Sequence, residues 1–266
     1  MLIATDLDGT FLQPDGTPSP RAVAAVEAAE RAGVPVVPVT GRAIMGFRLA
    51  ASAFQHYAIV VNGAIGVDLR DGRTLFSQTT PASVVEQVVS GLSGAVPGAI
   101  FCGVVDDSST FLVEPGYVDL TPDEELEKDP ARFVEVPREQ LIGTDVVKIM
   151  VRHPQVPAER LYRIALDLAL PGVHATYSGF TMIEVCRDGV AKDTGLDVLC
   201  RELGQRREDV VALGDGANDV EMLRWAGTSY AMGNAAPQAV AAAGLRAPAN
   251  TEDGFAQVVE QLLERM

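Results

Sequence analysis

The chain has 266 residues, 47% of them hydrophobic and 21% charged, which is the composition of a globular protein long enough for one large domain or two smaller ones. Its formal net charge is −15 at pH 7 and it has no local basic patch, which argues against nucleic acid and anionic membranes as partners. Three scattered cysteines form no paired motif, and neither a signal peptide nor an apolar run of the ~18 residues that a membrane span needs is present, so we expect a cytoplasmic protein.

The first part of the chain alternates buried strands with amphipathic helices. Short runs of apolar residues predict the strands, and apolar residues spaced three and four apart predict the helices. The predicted elements are a strand at 2–5, a helix at 20–33, a strand at 34–40, a helix at 43–54 and a strand at 57–63. This order is typical of a parallel, doubly wound sheet.

The middle of the chain has the pattern of antiparallel α+β structure. The predicted elements are a helix at 83–93, strands at 99–105, 109–114 and 145–151, a helix at 157–169 and a hairpin at 172–186 around Ser178 and Gly179. The acidic stretch at 121–130 is expected to be a solvated helix or loop.

After Asp188 and Gly189 the alternation of helices and strands returns. The predicted elements are a helix at 191–203, a strand at 209–214, a helix at 217–226, a strand at 228–233 and an amphipathic helix within 253–266. We therefore predict an α/β fold in which a Rossmann-like parallel-sheet core, residues 1–82 with 188–266, is split by an inserted α+β domain at 83–187.

Four groups of polar residues lie where the predicted core strands end or the following helices begin. They are Asp6 with Asp8, the run Thr40-Gly41-Arg42, Lys192 after the insert, and Asp215, Asn218 and Asp219 in the sequence "GDGAND". Parallel sheets carry their chemistry at the carboxyl ends of their strands. Each group alone has an ordinary explanation as a turn or a solvated helix residue. All four in this order predict a reaction centre.

The four motifs resemble those of the haloacid dehalogenase-like (HAD) superfamily of phosphotransferases. The matching segments are "DLDGT" at 6–10, "VTGR" at 39–42, Lys192 in "RDGVAKDTGL" and "GDGANDVEML" at 214–223, with "NGA" at 62–64 in addition. The whole chain looks most like the Cof-type phosphatases, which carry a large α/β cap between the second and third motifs. It departs from the commonest pattern in having Gly216 where asparagine is more frequent and "VAK" in place of "VSK".

The resemblance implies a role for each of these residues. Asp6 is the expected nucleophile, which forms an aspartyl-phosphate, and Asp8 is the expected general acid and base. Lys192 is expected to neutralise the phosphate oxygens and the charge of Asp6. The inserted domain is expected to act as a cap that closes over the substrate. Contacts to the phosphate or the substrate are expected from Thr40, Gly41, Arg42, Asn62 and Asn218.

A magnesium ion is the expected cofactor. Converging carboxylates repel one another, and oxygen ligands without a nearby histidine or thiolate suit Mg²⁺. The resemblance implies that Asp6, the backbone carbonyl of Asp8 and Asp215 bind the ion. Asp219 and Asn218 are expected to be a further ligand or a support for the other ligands.

The leading hypothesis is a Mg²⁺-dependent phosphatase of small phosphorylated metabolites, such as sugar phosphates. A phosphomutase or phosphotransferase on the same core is the alternative. A phospho-accepting receiver or a catalytically silent binding protein fits less well, because the insert is long and Asp6, Asp8 and Lys192 are intact. Two residues also have ordinary explanations, Arg42 as a surface ion pair and Asn62 as a turn residue. The sequence specifies neither the physiological substrate nor the oligomeric state.

Overall fold

The computed structural model describes residues 1–44, 46–47, 52–105, 108–122, 130–177 and 181–266. The chain forms two compact units, a core unit of Met1–Phe76 with Ala191–Met266 and an inserted unit of Ser77–Val190. The division into a core domain (1–82 with 188–266) and an inserted cap domain (83–187) stays a prediction, as do the separate functional roles of the two.

The secondary-structure elements are numbered in chain order. The strands are β1 (Leu2–Thr5), β2 (Val36–Pro38), β3 (Tyr57–Val60), β4 (Ile65–Asp68), β5 (Arg73–Ser77), β6 (Ile100–Val105), β7 (Thr110–Val113), β8 (Phe133–Glu135), β9 (Lys148–Arg152), β10 (Val173–Thr176), β11 (Ile183–Arg187), β12 (Val210–Gly214), β13 (Thr228–Ala231) and β14 (Leu245–Arg246). The helices are α1 (Pro20–Arg31), α2 (Ala82–Ala95), α3 (Arg138–Ile142), α4 (Ala158–Leu168), α5 (Lys192–Leu203), α6 (Val220–Trp225), α7 (Pro237–Ala242) and α8 (Gly254–Leu263).

The main sheet of the core unit is parallel. Its strand order is β14-β13-β12-β1-β2, and every neighbouring pair runs in the same direction. All residues of β1 and β12 are buried. Strands buried on both faces are continuous apolar runs in the sequence, which is why these two were predictable. The predicted α/β fold with a parallel sheet is confirmed.

Helix α1 begins where its sequence provides a cap. The hydroxyl of Ser19 accepts a hydrogen bond from the backbone N–H of Ala22 at 3.0 Å, and Pro20 occupies the first turn, where no helical partner for its nitrogen is needed. The buried face of α1 is formed by Ala22, Ala25, Val26 and Ala29. The predicted helix at 20–33 is thus confirmed, with its end at Arg31.

A second sheet in the core unit was not predicted. Strands β3, β4 and β5 lie side by side, with β3 and β4 antiparallel. An isolated bridge between Val39 and Ile59 connects this sheet to the segment after β2. The short turn Val61–Gly63 separates β3 from β4, and it interrupts an otherwise continuous apolar stretch. The prediction that the strand at 57–63 is the last one before the insert is therefore wrong, because β4 and β5 follow it.

The inserted unit contains a six-stranded sheet with the order β10-β11-β9-β6-β7-β8. Neighbouring strands are antiparallel except for the parallel pair β7 and β8. Its apolar cluster joins helix residues to alternate strand residues, among them Val85, Val88, Leu92, Phe101, Leu141, Ile149, Val151, Leu161, Ile183 and Val185. Strand β8 and helix α3 were not predicted, because each is short.

Some predictions fall wholly or partly outside the described residues. These are the central part of the helix at 43–54, most of the acidic stretch at 121–130, the start of the turn at 106–109 and the tip of the hairpin at 178–180. Among the described residues, no helix combines the length and the apolar character needed to cross a membrane.

Candidate active site

A buried lysine joins two carboxylates at the carboxyl end of β1. Asp6 follows β1 directly, and Lys192 is the first residue of α5. The ammonium Nζ of Lys192 donates to Oδ1 of Asp6 at 2.5 Å and to Oδ1 of Asp219 at 2.6 Å. The Lys192 side chain is fully buried, so these bonds are shielded from water and charge-assisted.

Asp219 ties this lysine to the turn after β12. Its second oxygen, Oδ2, accepts the backbone N–H of Asp215 at 2.9 Å and that of Gly216 at 2.8 Å. Both oxygens of Asp219 therefore already have donors. Asp219 is also completely buried, so its position holds the turn and the lysine together.

Asp215 lies against the loop that follows β1. The hydroxyl of Thr10 donates to Oδ1 of Asp215 at 2.9 Å. Gly9 has a φ of +82°, and a Cβ there would collide with the carboxylate of Asp215. Only glycine allows both this left-handed conformation and this close approach.

The cluster carries more negative than positive charge. Asp6, Asp215 and Asp219 each offer a carboxylate oxygen, and these atoms lie within 4.8 Å of one another. Burial, together with the charge of Asp219, raises the pKa of Asp215 to about 6. The same two causes raise the pKa of Asp6. Burial alone would lower the pKa of Lys192, but the charges of Asp219 and Asp6 raise it, so the lysine stays charged.

The donor set of this cluster fits a hard divalent cation. It consists of carboxylate oxygens, with neither a histidine nor a cysteine in the group. Three carboxylates face one ammonium, so a cation of charge +2 would balance the remainder. Because the oxygens of Asp219 are occupied by Lys192 and two N–H groups, Asp6 and Asp215 are better placed to bind such an ion.

The segment after β2 brings a second cation to the loop after β1. Thr40 is buried, and its hydroxyl accepts the backbone N–H of Arg42 at 3.1 Å. The Arg42 guanidinium donates to both oxygens of Asp8, from Nε to Oδ2 at 2.8 Å and from Nη2 to Oδ1 at 2.5 Å. Burial by itself would lower the pKa of Arg42, but the bonds to Asp8 outweigh it and raise that pKa.

The turn after β3 places Asn62 beside two of the other motifs. Val61, Asn62 and Gly63 have φ values of 55°, 51° and 100°, a left-handed run that is strained for valine. Oδ1 of Asn62 accepts a hydrogen bond from Nδ2 of Asn218 at 3.2 Å. A Cβ on Gly41 would lie 2.9 Å from the same Asn62 oxygen, so Gly41 lies directly beside it.

All ten predicted site residues belong to the core unit. One hydrogen-bonded group is Asp6 with Lys192, Asp219 and the Asp215 backbone. A second group contains Asp8, Thr40, Arg42, Asn62 and Asn218, because the N–H of Asn62 donates to the backbone oxygen of Thr40 at 2.9 Å, and Gly41 lies beside Asn62. Their roles in a reaction stay predictions.

Two asparagines near the site were missed by sequence reasoning. Nδ2 of Asn234 donates to the backbone oxygen of Gly9 at 2.7 Å, and its Oδ1 accepts the N–H of Asn250 at 3.0 Å. Nδ2 of Asn250 in turn donates to the backbone oxygen of Leu12 at 2.7 Å. Asn234 follows strand β13, so the rule that located the other motifs at strand ends could have found it.

The chain matches a family model described as haloacid dehalogenase-like hydrolase over residues 3–259. It is 30% identical over 269 residues to a pyridoxal phosphate phosphatase of Escherichia coli, covering 97% of each chain. It is 27% identical over 270 residues to a 5-amino-6-(5-phospho-D-ribitylamino)uracil phosphatase of Bacillus subtilis, covering 98% of this chain and 96% of that protein. A crystal structure of a haloacid dehalogenase-like hydrolase from Bacteroides thetaiotaomicron superposes with a TM-score of 0.79 at 25% identity, covering 98% of both chains.

Proposed function

The chain belongs to the haloacid dehalogenase-like hydrolase family and is a phosphatase of small phosphorylated metabolites, and we propose that it transfers the phosphoryl group first to Asp6 and then to water. The observation that carries this proposal is the bonding of buried Lys192 to both Asp6 and Asp219 at the carboxyl end of β1. A nucleophilic carboxylate must approach an anionic phosphate ester, and an adjacent fixed cation lowers the cost of that approach.

Asp6 and Asp8 divide the chemistry between them. An oxygen of the Asp6 carboxylate attacks phosphorus, the bond from phosphorus to the ester oxygen breaks, and Asp8 gives a proton to the departing oxygen. Asp8, now a carboxylate, takes a proton from water as the water oxygen attacks the phosphorus of the aspartyl-phosphate. Inorganic phosphate leaves and Asp6 is restored. Proton transfer of this kind typically contributes ~10²–10⁴ in rate.

Several groups of the core unit are suited to hold the transferring phosphate. Lys192 neutralises its oxygens and the charge of Asp6. The hydroxyl of Thr40, the backbone N–H of Gly41 and the amide of Asn218 are candidate hydrogen-bond donors to it, and Asn62 orients Asn218 through their shared bond. The support for these assignments is the clustering of all these residues around the ends of β1, β2, β3 and β12.

Mg²⁺ is the proposed cofactor, held by the carboxylates of Asp6 and Asp215 and by the backbone carbonyl of Asp8. Its supporting evidence is the excess negative charge of the buried cluster and its all-oxygen donor set. When bound, the ion would reduce the electrostatic repulsion between the Asp6 carboxylate and the substrate phosphate. Asp219 is proposed to support the site through Lys192 and the turn at 215–216.

The substrate is proposed to be a small phosphate monoester. The two relatives act on pyridoxal phosphate and on a phosphorylated ribitylaminouracil, according to their names. Both names describe a phosphate ester carried on a side chain of a nitrogen heterocycle. Sugar phosphates share the phosphate and the small size, so they belong in the same test.

A release assay for inorganic phosphate tests this function. Purified protein with Mg²⁺ is compared with the same protein in EDTA, against pyridoxal phosphate, FMN, nucleotides, sugar phosphates and phosphoglycolate. We expect release from at least one compound and its loss in EDTA. No release from any compound would contradict the phosphatase reaction, and full release in EDTA would contradict the metal requirement alone.

A further inference from the structure

Arg42 and Asp8 form a two-pronged ion pair across the gap between the ends of β1 and β2. Both carboxylate oxygens of Asp8 accept a guanidinium N–H, at 2.8 and 2.5 Å. The side chains are partly shielded, with 25% of Arg42 and 37% of Asp8 exposed. A parallel pair of bonds of this kind fixes both the position and the plane of a carboxylate, which a single contact does not.

The arginine is itself held firmly in place. Its backbone N–H donates to the Thr40 hydroxyl at 3.1 Å, and its backbone oxygen accepts the N–H of Val61 at 3.0 Å. A third guanidinium nitrogen, Nη1, donates to the backbone oxygen of Gly46 at 3.2 Å. Because the Arg42 main chain is bonded on both sides, its side chain provides a fixed reference for Asp8.

Asp8 needs such a reference. It lies in the loop just after β1, next to the left-handed Gly9. Asp6, two residues earlier, is held by Lys192, and Asp215 is held by Thr10. In the same way, the two hydrogen bonds from Arg42 hold the Asp8 carboxylate in place.

We propose that Arg42 is a positioning residue that acts through Asp8, rather than a ligand of the substrate phosphate. This inference rests on the proposed function, in which Asp8 moves protons at the reacting bond. A proton-transfer group must lie within hydrogen-bond reach of its target, so loosening Asp8 lowers the chemical rate. A residue that bound the phosphate directly would instead change the affinity for every phosphorylated ligand.

A double-mutant cycle separates the two roles. The variants are Arg42→Met, Asp8→Asn and the double variant, with p-nitrophenyl phosphate as substrate. Its leaving group needs little help from an acid, so kcat reports the second step, in which Asp8 takes a proton from the attacking water. If Arg42 acts through Asp8, Arg42→Met lowers kcat by about tenfold to a hundredfold with KM nearly unchanged. In the Asp8→Asn background the same change lowers kcat less than about threefold, because residues that act as one unit are not additive.

Two further measurements complete the test. The inhibition constant of inorganic phosphate should stay within about threefold of wild type in Arg42→Met, since no phosphate contact is lost. Arg42→Lys should recover only part of kcat, because an ammonium cannot make the parallel pair of bonds. Circular dichroism and thermal unfolding check that each variant is folded, and Arg42→Lys serves for the cycle if Arg42→Met is not.

Two outcomes would overturn the proposal and make Arg42 a substrate ligand. One is that the effects of the two substitutions on kcat multiply; the other is that Arg42→Met raises KM and weakens phosphate inhibition while kcat is unchanged. If the wild type is active, either outcome leaves the proposed phosphatase reaction intact. A wild type that releases no phosphate would contradict the reaction itself, and the role of Arg42 with it.

Discussion

Gly63 packs directly against the backbone carbonyl of Ala191, so closely that a Cβ on Gly63 would collide with that oxygen. In the other direction, a Cβ on Gly195 would lie 2.6 Å from the backbone oxygen of Gly63. The turn after β3 and the first turn of α5 therefore meet backbone to backbone. Lys192 begins α5, so this contact sets where its side chain starts.

Replacing Gly63 with alanine should disturb both stability and catalysis. The new methyl group forces the turn away from α5 and moves Lys192, so we expect a loss of more than about 2 kcal/mol in unfolding free energy and a lower kcat. Gly33→Ala is the matched control, because Gly33 has a φ of +77° and no atom within 4 Å of a new Cβ. It should cost only about 1 kcal/mol and leave kcat unchanged. Urea unfolding and phosphate release measure both, and equal effects of the two changes would argue against the contact.

Asp6→Asn should fold normally and lose nearly all activity. The amide has the size of the carboxylate but does not attack phosphorus, so we expect a loss of at least about a thousandfold in kcat. Its thermal midpoint should equal or exceed that of wild type, because one charge leaves a buried cluster with an excess of negative charge. Retained activity in a folded variant would mean that another residue is the nucleophile.

Lys192→Met should destabilise the metal-free protein. Two buried carboxylates, Asp6 and Asp219, lose their shared cation, and such a loss costs about 3–5 kcal/mol. Arg201→Met in the same helix is the control, since Arg201 pairs with Asp197 on the surface and should contribute less than about 1 kcal/mol. Urea unfolding in EDTA compares them. Similar losses for both variants would show that Lys192 does not offset the buried charges.

Magnesium should stabilise the folded protein. The ion is proposed to bind the native cluster and not the unfolded chain, so the thermal midpoint at neutral pH should rise with Mg²⁺ concentration. A concentration of a hundred times Kd corresponds to a stabilisation of about 2.7 kcal/mol. Asp215→Asn should have a higher midpoint in EDTA and little response to Mg²⁺. Asp71→Asn, an exposed position outside the site, should respond as wild type does. An unchanged response of Asp215→Asn would place the ion elsewhere.

The pair of Asp68 and Arg70 should make stability fall in acid. Arg70 donates to both oxygens of Asp68, and these bonds lower the pKa of the carboxyl from 3.8 to about 2. A lowered pKa in the folded state adds stability above pH 3.8, and this contribution disappears as the pH falls through about 2. The difference in unfolding free energy between wild type and Asp68→Asn should be constant near neutral pH and shrink below about pH 4. A difference that is independent of pH would contradict the ion pair.

The elements that could be predicted are those with a continuous or periodic apolar pattern. Strands β1 and β12 are wholly buried, and α1 has one apolar face. Strand β2 is shorter than the predicted run at 34–40, and prolines at 35 and 38 limit its pairing. Strand β4 was missed because Val61 takes a left-handed conformation that no propensity assigns to valine.

The sequence predicted which residues meet at the site better than which hydrogen bonds they form. The order of the motifs predicted that Asp6 and Lys192 lie together, although they are 186 positions apart in the sequence. The motifs did not predict which carboxylate accepts a hydrogen bond from each donor. Thr10 bonds to Asp215, and Arg42 bonds to Asp8. Such choices depend on side-chain directions over a few ångströms, which residue types and spacing do not determine.

The pairing of β1 with β12 has a consequence for folding during synthesis. Leu2 lies opposite Val210, so β1, an interior strand of the core sheet, lacks one of its two partners until about two hundred residues later in synthesis. At ~5–20 residues per second, the nascent chain carries β1 without that partner for about 10–40 s. Of the two strands that pair with β1, only β2 has been synthesised in that interval. The inserted unit, whose strands and helices are all made within that interval, can collapse while the core sheet still has an open edge. Because the core has the more distant strand pairing, we expect it to be the slow part of the fold.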